Sequence, residues 1–167
     1  MRYFTRLPLI LGFITLGFIV TGCGFHLRGV GDQLSSRFEK TYFSETSANN
    51  SGFSRQLKRL IALNGGHLVA KADAQLAVNV EPISVKSRQV ALTSTSTLKE
   101  YEYTYATVVT VVDLTNGVQL GSRRISTSRL LQIDESSGLA GDERKTISQQ
   151  EAARTLAQSV IGYLQSF

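Results

Sequence analysis

The sequence predicts an α+β domain, a two-layer sandwich in which two helices pack on one face of a mostly antiparallel four-stranded sheet. Three patterns lead there. Apolar residues recur at helical spacing over Phe53, Leu57, Leu60 and Ile61, and again over Ala153, Leu156, Ala157, Val160, Ile161 and Leu164. Between these stripes lie segments that alternate at period two, the clearest running from Tyr101 to Val112. The pair Asn116-Gly117 follows that run and is the strongest short signal for a hairpin turn. The order is strand, helix, three antiparallel strands, helix, and helices confined to one face leave the other face of the sheet open or covered by another protein.

The first 22 residues stand outside this domain. Arg2 and Arg6 form a short basic start, Leu7 to Val20 is apolar, and small residues precede Cys23. A spanning helix needs about 20 apolar residues. This run is shorter, contains Pro8, Gly12 and Gly17, and has no basic stop-transfer cluster behind it, so it reads as a secretory signal. Cys23 is the only cysteine, which excludes a disulfide within the chain. Val20-Thr21-Gly22-Cys23 resembles a bacterial lipoprotein processing site, and the resemblance implies a diacylglyceryl thioether and an N-acyl chain on Cys23. Each buried methylene contributes about 0.8 kcal/mol, so one acyl chain anchors reversibly and two or three anchor stably. Gly24 stands where an aspartate would imply retention in the inner membrane, and this implies the outer membrane.

Cleavage before Cys23 leaves 145 residues (167 − 22), enough for a single core without disulfides. Both removed charges are basic, so the mature net charge is +3 (16 Lys and Arg against 13 Asp and Glu). That balance, without interleaved aromatic and basic residues, does not point to nucleic acid. Residues 23–36, with Gly24, Gly29 and Gly31, read as a tether, and 37–167 as one domain.

Within the domain, Arg37 to Phe43 is the first expected strand, and the polar stretch from Ser44 to Ser51 is a loop. The helix stripe from Phe53 ends at Asn64-Gly65-Gly66, where glycine permits a left-handed C-cap. Leu76, Val78 and Val80 alternate along the next strand, and Pro82 marks an edge or an irregularity. Ser84 to Thr93 is β-prone, and Thr93 to Thr97 makes a polar hairpin tip. In the following strand Tyr101, Tyr103 and Tyr105 share one face. That row is either a surface for a partner or a layer beneath the helices. A two-residue turn at Asn116-Gly117 sets Thr115 opposite Val118, Val109 opposite Arg124 and Tyr103 opposite Leu130. Asp134 to Lys145 reads as a polar loop, and Ser148-Gln149-Gln150-Glu151 has the form of a capping box that starts the last helix.

Catalytic machinery is not visible. His26 falls in the tether and His67 follows the Gly-Gly cap, and neither has a nucleophile arranged beside it. There is no G-x-S-x-G, and Lys145 lacks the preceding glycine of a P-loop. The acidic pairs Asp134-Glu135 and Asp142-Glu143 lack the ligand rhythm of a calcium loop. The expectation is a protein without enzyme activity, metal or cofactor other than the lipid on Cys23.

Cys23-Gly24-Phe25-His26-Leu27-Arg28-Gly29 resembles the opening of the LptE family of lipopolysaccharide-assembly lipoproteins of Gram-negative bacteria. Leu63-Asn64-Gly65, Glu100-Tyr101 and the final helix extend the likeness along the mature chain. The resemblance implies a domain on the periplasmic side that plugs the large outer-membrane β-barrel LptD, helps this barrel assemble and binds lipopolysaccharide during its delivery to the outer leaflet. In that family, basic residues at the central hairpin tip and before the last helix are associated with lipopolysaccharide. Ser94 and Gly141 stand there in this chain, so the nearest basic neighbours, Arg88, Lys99, Arg144 and Lys145, are the candidate contacts. Two other readings remain: an accessory lipoprotein of another envelope-assembly machine, and a periplasmic lipid carrier.

Overall fold

The computed structural model describes residues 33–46, 51–91, 98–134 and 138–167. Cys23, the signal segment, His26, the tether up to residue 32 and the expected hairpin tip around Ser94 lie outside the described residues. The class expected from sequence is observed, but the sheet is larger and mixed. It contains β1 (Lys40–Glu45), β2 (His67–Leu68), β3 (Leu76–Val80), β4 (Ser84–Ala91), β5 (Leu98–Asp113) and β6 (Gln119–Asp134). The helices are α1 (Ser51–Leu63) and α2 (Gly138–Leu164).

Strand β5 is the spine. β6 pairs with it antiparallel along its whole length, while β3 and β4 lie end to end on its other edge. β3 takes the half near the turn, from Val109 to Asp113, and β4 takes Glu100 to Ala106. Pro82 sits at the junction. Before it, β3 is flanked by β5 and β1; after it, β4 pairs with β5 alone among the described strands. Proline has no N–H to donate, so it fits where two-sided pairing ends. The backbone stays registered across the break: the Glu81 N–H donates to the Val108 carbonyl at 2.9 Å, and the Thr107 hydroxyl donates to the Glu81 carbonyl at 2.7 Å.

The expectation of four mostly antiparallel strands is corrected at β1, which is parallel to both β2 and β3. The physical reason is α1. It crosses over between β1 and β3, and a crossover helix returns the chain in the same direction, whereas a hairpin reverses it. β2 is only two residues long and escapes any periodicity. Phe38 is also placed differently, since it ends a 3-10 turn from Ser36 to Phe38 and lies fully buried. Leu34, within the stretch that reads as tether, is packed in the core, and its N–H donates to the Asn64 carbonyl at 2.9 Å.

Helix α1 follows its stripe: Phe53, Leu57 and Ile61 are buried, while Lys58 and Arg59 are exposed. Its end has both hydrogen bonds of a Schellman motif, Gly66 N–H to the Ile61 carbonyl (3.0 Å) and Gly65 N–H to the Ala62 carbonyl (3.3 Å). Gly65 supplies the required positive φ of 89°.

Helix α2 starts ten residues before the expected capping box, so the polar loop over 134–145 is in large part helix. Ser148 caps nothing. It is buried in mid-helix, and its hydroxyl lies 3.3 Å from the Tyr105 hydroxyl. The added turns are held by tertiary contacts and local pairs that a periodicity search does not register. Gly141 lies against Ile133, the Arg144 guanidinium donates to the Gln132 carbonyl at 3.0 Å, and Lys145 pairs with Asp142 one turn earlier. At 27 residues, α2 is about 40 Å long and runs back along β6, from Gly141 beside Ile133 to Tyr163 beside Gly121. It therefore covers the long hairpin rather than leaving it bare.

The hairpin register is one residue off the expected value. Val109 faces Arg123 and Tyr103 faces Arg129. Among the described residues no side-chain-bearing residue has positive φ, so Asn116 does not supply what a type I′ turn needs; only Gly117 does, at 72°. Asp113 sets a wider turn instead. Its N–H donates to the Val118 carbonyl (2.8 Å), and its carboxylate accepts from the Thr115 N–H (2.9 Å) and hydroxyl (2.5 Å). A bulge at Leu120, between the pairs Val111–Gly121 and Val112–Gln119, absorbs the extra residue.

Candidate functional site

Residues of β5 with odd numbers point to the helices. Tyr105, Thr107, Val109 and Val111 are buried there, above Ile125 and Ile133 of β6 and beside Leu76, Val78 and Val80 of β3. This decides the tyrosine row. Tyr105 is buried with its hydroxyl near Ser148, and its ring stacks on Tyr103 with centroids 6.4 Å apart. Tyr103 packs on the core edge and Tyr101 continues the row with a 6.3 Å centroid separation. These rings belong to the layer beneath α2.

The other face carries the even-numbered residues of β5 and their partners, and neither helix covers it. It mixes small hydroxyls and scattered charge with Ala106, Val108 and Val112. Thr104 and Ser128 face each other and share a hydrogen bond of 3.0 Å; Thr110 and Ser122 share one of 2.9 Å. Ser84 donates to the Ala106 carbonyl at 3.1 Å, and Arg88 pairs with Glu102 at 2.5 Å. Arg124 and Ser126 on β6 are exposed on the same face, as is Leu130 opposite Glu102. Paired hydroxyls of this kind satisfy one another while keeping lone pairs available to a polar partner.

One end of this sheet gathers the candidate basic residues. Arg88 is on the open face of β4, near the irregularity between Gln89 and Ala91. Lys99 is at the start of β5 opposite Ile133, on the helix side, and has an intrachain contact of its own. Arg144 and Lys145 are on the first turns of α2, which pack on the same end of β6. The fold therefore brings the four to one end, on three elements and both faces. Each is already engaged: Arg88 by Glu102, Lys145 by Asp142, Arg144 by a carbonyl oxygen. The Arg88 side chain is 75% exposed, and exposed pairs contribute only about 0.2–1 kcal/mol, so Glu102 holds it weakly. Gly141 is a helix residue packed against Ile133 rather than part of a loop.

The hydroxyl rows escaped the sequence reading because it set the register one residue away, which exchanges the faces of β6. A usable signal was present: Ser122, Ser126 and Ser128 alternate with Ile125 and Leu131. His67 is exposed in β2. Among the described residues no group of three His, Cys, Asp or Glu side chains is placed to hold a metal ion, and Asp142 is used by Lys145.

A family model described as LptE, lipopolysaccharide-assembly, matches residues 38–164. Solved structures share the fold at low identity. Rare lipoprotein B from Shewanella oneidensis is similar with a TM-score of 0.64 and 18% identity, over 76% of this chain and 94% of that one. A lipoprotein B from Nitrosomonas europaea is similar with a TM-score of 0.64 and 20% identity, over 85% and 88%. A minor lipoprotein from Acinetobacter baumannii has a TM-score of 0.61 and 18% identity, over 77% and 92%. No curated protein matches this chain by sequence.

Proposed function

This chain belongs to the LptE lipopolysaccharide-assembly family, and on that premise we propose that it is a non-enzymatic lipoprotein, anchored in the outer membrane through acylated Cys23, that plugs an LptD-type β-barrel and contacts lipopolysaccharide. The observation that carries the plug reading is the open sheet face. One face is sealed by both helices; the other offers rows of serine and threonine hydroxyls, Arg124 and an Arg88–Glu102 pair. The inner wall of a transmembrane barrel is polar, because lipid-facing and lumen-facing residues alternate along each strand. A hydroxyl-rich face matches such a wall by hydrogen bonding, without a large apolar patch that would aggregate before assembly.

Arg88, Lys99, Arg144 and Lys145 support the lipopolysaccharide part of the reading. A lipopolysaccharide phosphate offers several acceptor oxygens, and guanidinium groups match them in pairs. The acyl chains on Cys23 would place the domain at the membrane that holds its partner.

Gentle extraction of a C-terminally tagged protein from native outer membranes tests the plug. A stoichiometric large β-barrel of the LptD type is the expected companion. Recovery alone, with a different assembly machine or with extractable lipid and no barrel, rejects the reading. For the lipid contact, Arg144→Glu with Lys145→Glu should lower lipopolysaccharide binding about tenfold, the loss expected from reversing two exposed charges facing a phosphate.

A further inference from the structure

We infer that the cleft between α1 and α2 is a docking site for an acidic, extended segment of a partner polypeptide. It lies on the helical layer, opposite the sheet face used above, and does not depend on that reading.

The cleft is open and has a volume of about 590 Å3. Arg59 enters from α1 and Arg154 from α2, and among the described residues no aspartate or glutamate is part of its lining. Arg55 lines it as well and has a contact within the chain. Arg59 and Arg154 are both exposed, and among the described residues neither pairs with a carboxylate. Some exposed cations of this domain have acids beside them, as Arg88 has Glu102 and Lys145 has Asp142, and the two in the cleft do not. Two guanidinium groups contributed to one cleft by different helices, without a counter-ion among the described residues, leave it positive, and its complement is an anion.

The rest of the lining separates a polypeptide from a lipid. Gln56 and Gln150 each bring a carboxamide that both donates and accepts, which matches the peptide groups of an extended chain. Apolar side chains are few: Phe53 is only 2% exposed, leaving Ile83 and Ala153, both partly covered, as the apolar contacts. An acyl chain needs a continuous apolar slot, and this floor accommodates a single aliphatic side chain between two acids. The chemistry is that of a short acidic motif with one apolar residue, held by guanidinium–carboxylate forks.

The test uses the full lipidated protein in nonionic detergent and a fluorescein-labelled peptide of alternating glutamate and leucine, followed by anisotropy at low ionic strength. Saturable binding is expected, weakened about tenfold by Arg59→Glu with Arg154→Glu and unchanged by Arg88→Glu. Arg59→Gln with Arg154→Gln, which removes charge without reversing it, should weaken binding less, with the melting temperature of the parent. A peptide with glutamine in place of glutamate should not bind. The inference is overturned if the acidic peptide does not bind at a concentration of about 1 mM, if the Arg59 and Arg154 variants bind like the parent, or if Arg88→Glu loses as much. It is equally overturned if inorganic pyrophosphate displaces the peptide better than unlabelled peptide does, since the cleft would then be selecting phosphate.

Discussion

Two glycines show how differently the same residue type is used. Gly66 has ordinary φ but no room: a β-carbon there would lie 2.6 Å from Ile61 Cγ2 and within 3.3 Å of the Ile61 and Phe38 carbonyl oxygens. Ile61 is fully buried, so it cannot yield. Gly66→Ala should destabilise the fold by about 1–3 kcal/mol in urea unfolding. Gly117 is the reverse case, with open space around it and φ of 72°. Gly117→Ala therefore meets only backbone strain, about 1 kcal/mol. Next to that turn, the Thr115 hydroxyl and N–H hold the Asp113 carboxyl below its ordinary value of 3.8, with Arg37 adding a smaller pull in the same direction. A carboxylate favoured in the folded state adds stability above that ordinary value, and the contribution is lost as pH falls through the depressed one. Melting temperatures of the parent and Asp113→Asn should accordingly converge below pH 4 and differ most near neutrality.

Among the elements, α2 departs most from its expected form. Had Ser148 been its N-cap, Gln149 would occupy the first helical position, where proline is welcome. In the observed helix Gln149 is an exposed mid-helix residue, the twelfth of the helix (149 − 138 + 1), and proline there removes a backbone hydrogen bond and clashes one turn back. Gln149→Pro should cost about 3 kcal/mol or more, measured by thermal or urea unfolding, and a cost near zero would restore the shorter helix. The helix is worth extending because the hairpin beneath it is long. Sixteen-residue strands span roughly 50 Å, and an apolar face of that length needs a cover of similar reach. Packing of Gly141 on Ile133 and the Arg144 bond to the Gln132 carbonyl close the far end.

The molecule as a whole presents two unlike surfaces. Its core lies between the helices and the odd-numbered face of β5, and its even-numbered face carries the hydroxyl pairs and is uncovered by either helix. If that face seats against a barrel wall, a bulky residue in the hydroxyl rows should block seating while leaving the fold alone. Ser126 is exposed and opposite Ala106. Ser126→Trp should keep the melting temperature within about 2 °C, as surface changes do, yet reduce co-extraction of the barrel several-fold. Undiminished co-extraction would place the contact on another surface.

Period-two and helical repeats made the class, both helices' buried faces, the C-cap at Gly65 and the strands from Leu76 onward readable from the chain, because each depends on residues near one another in sequence. Pro82 interrupts two-sided pairing for the local reason its missing N–H suggests, whereas Asn116-Gly117 marks the place of the turn but not its type, since positive φ comes from Gly117 alone. What local pattern could not supply was the partner of each strand. The parallel pairing of β1 depends on a helical crossover, the register of the hairpin on how Asp113 binds its own turn, and the first ten residues of α2 on contacts with Ile133 and Gln132. The candidate site shares this division. Its basic residues are visible as letters, but their gathering at one end, their resident partners and the hydroxyl rows beside them arise only when the strands are aligned, since a slip of one residue exchanges the two faces of a sheet.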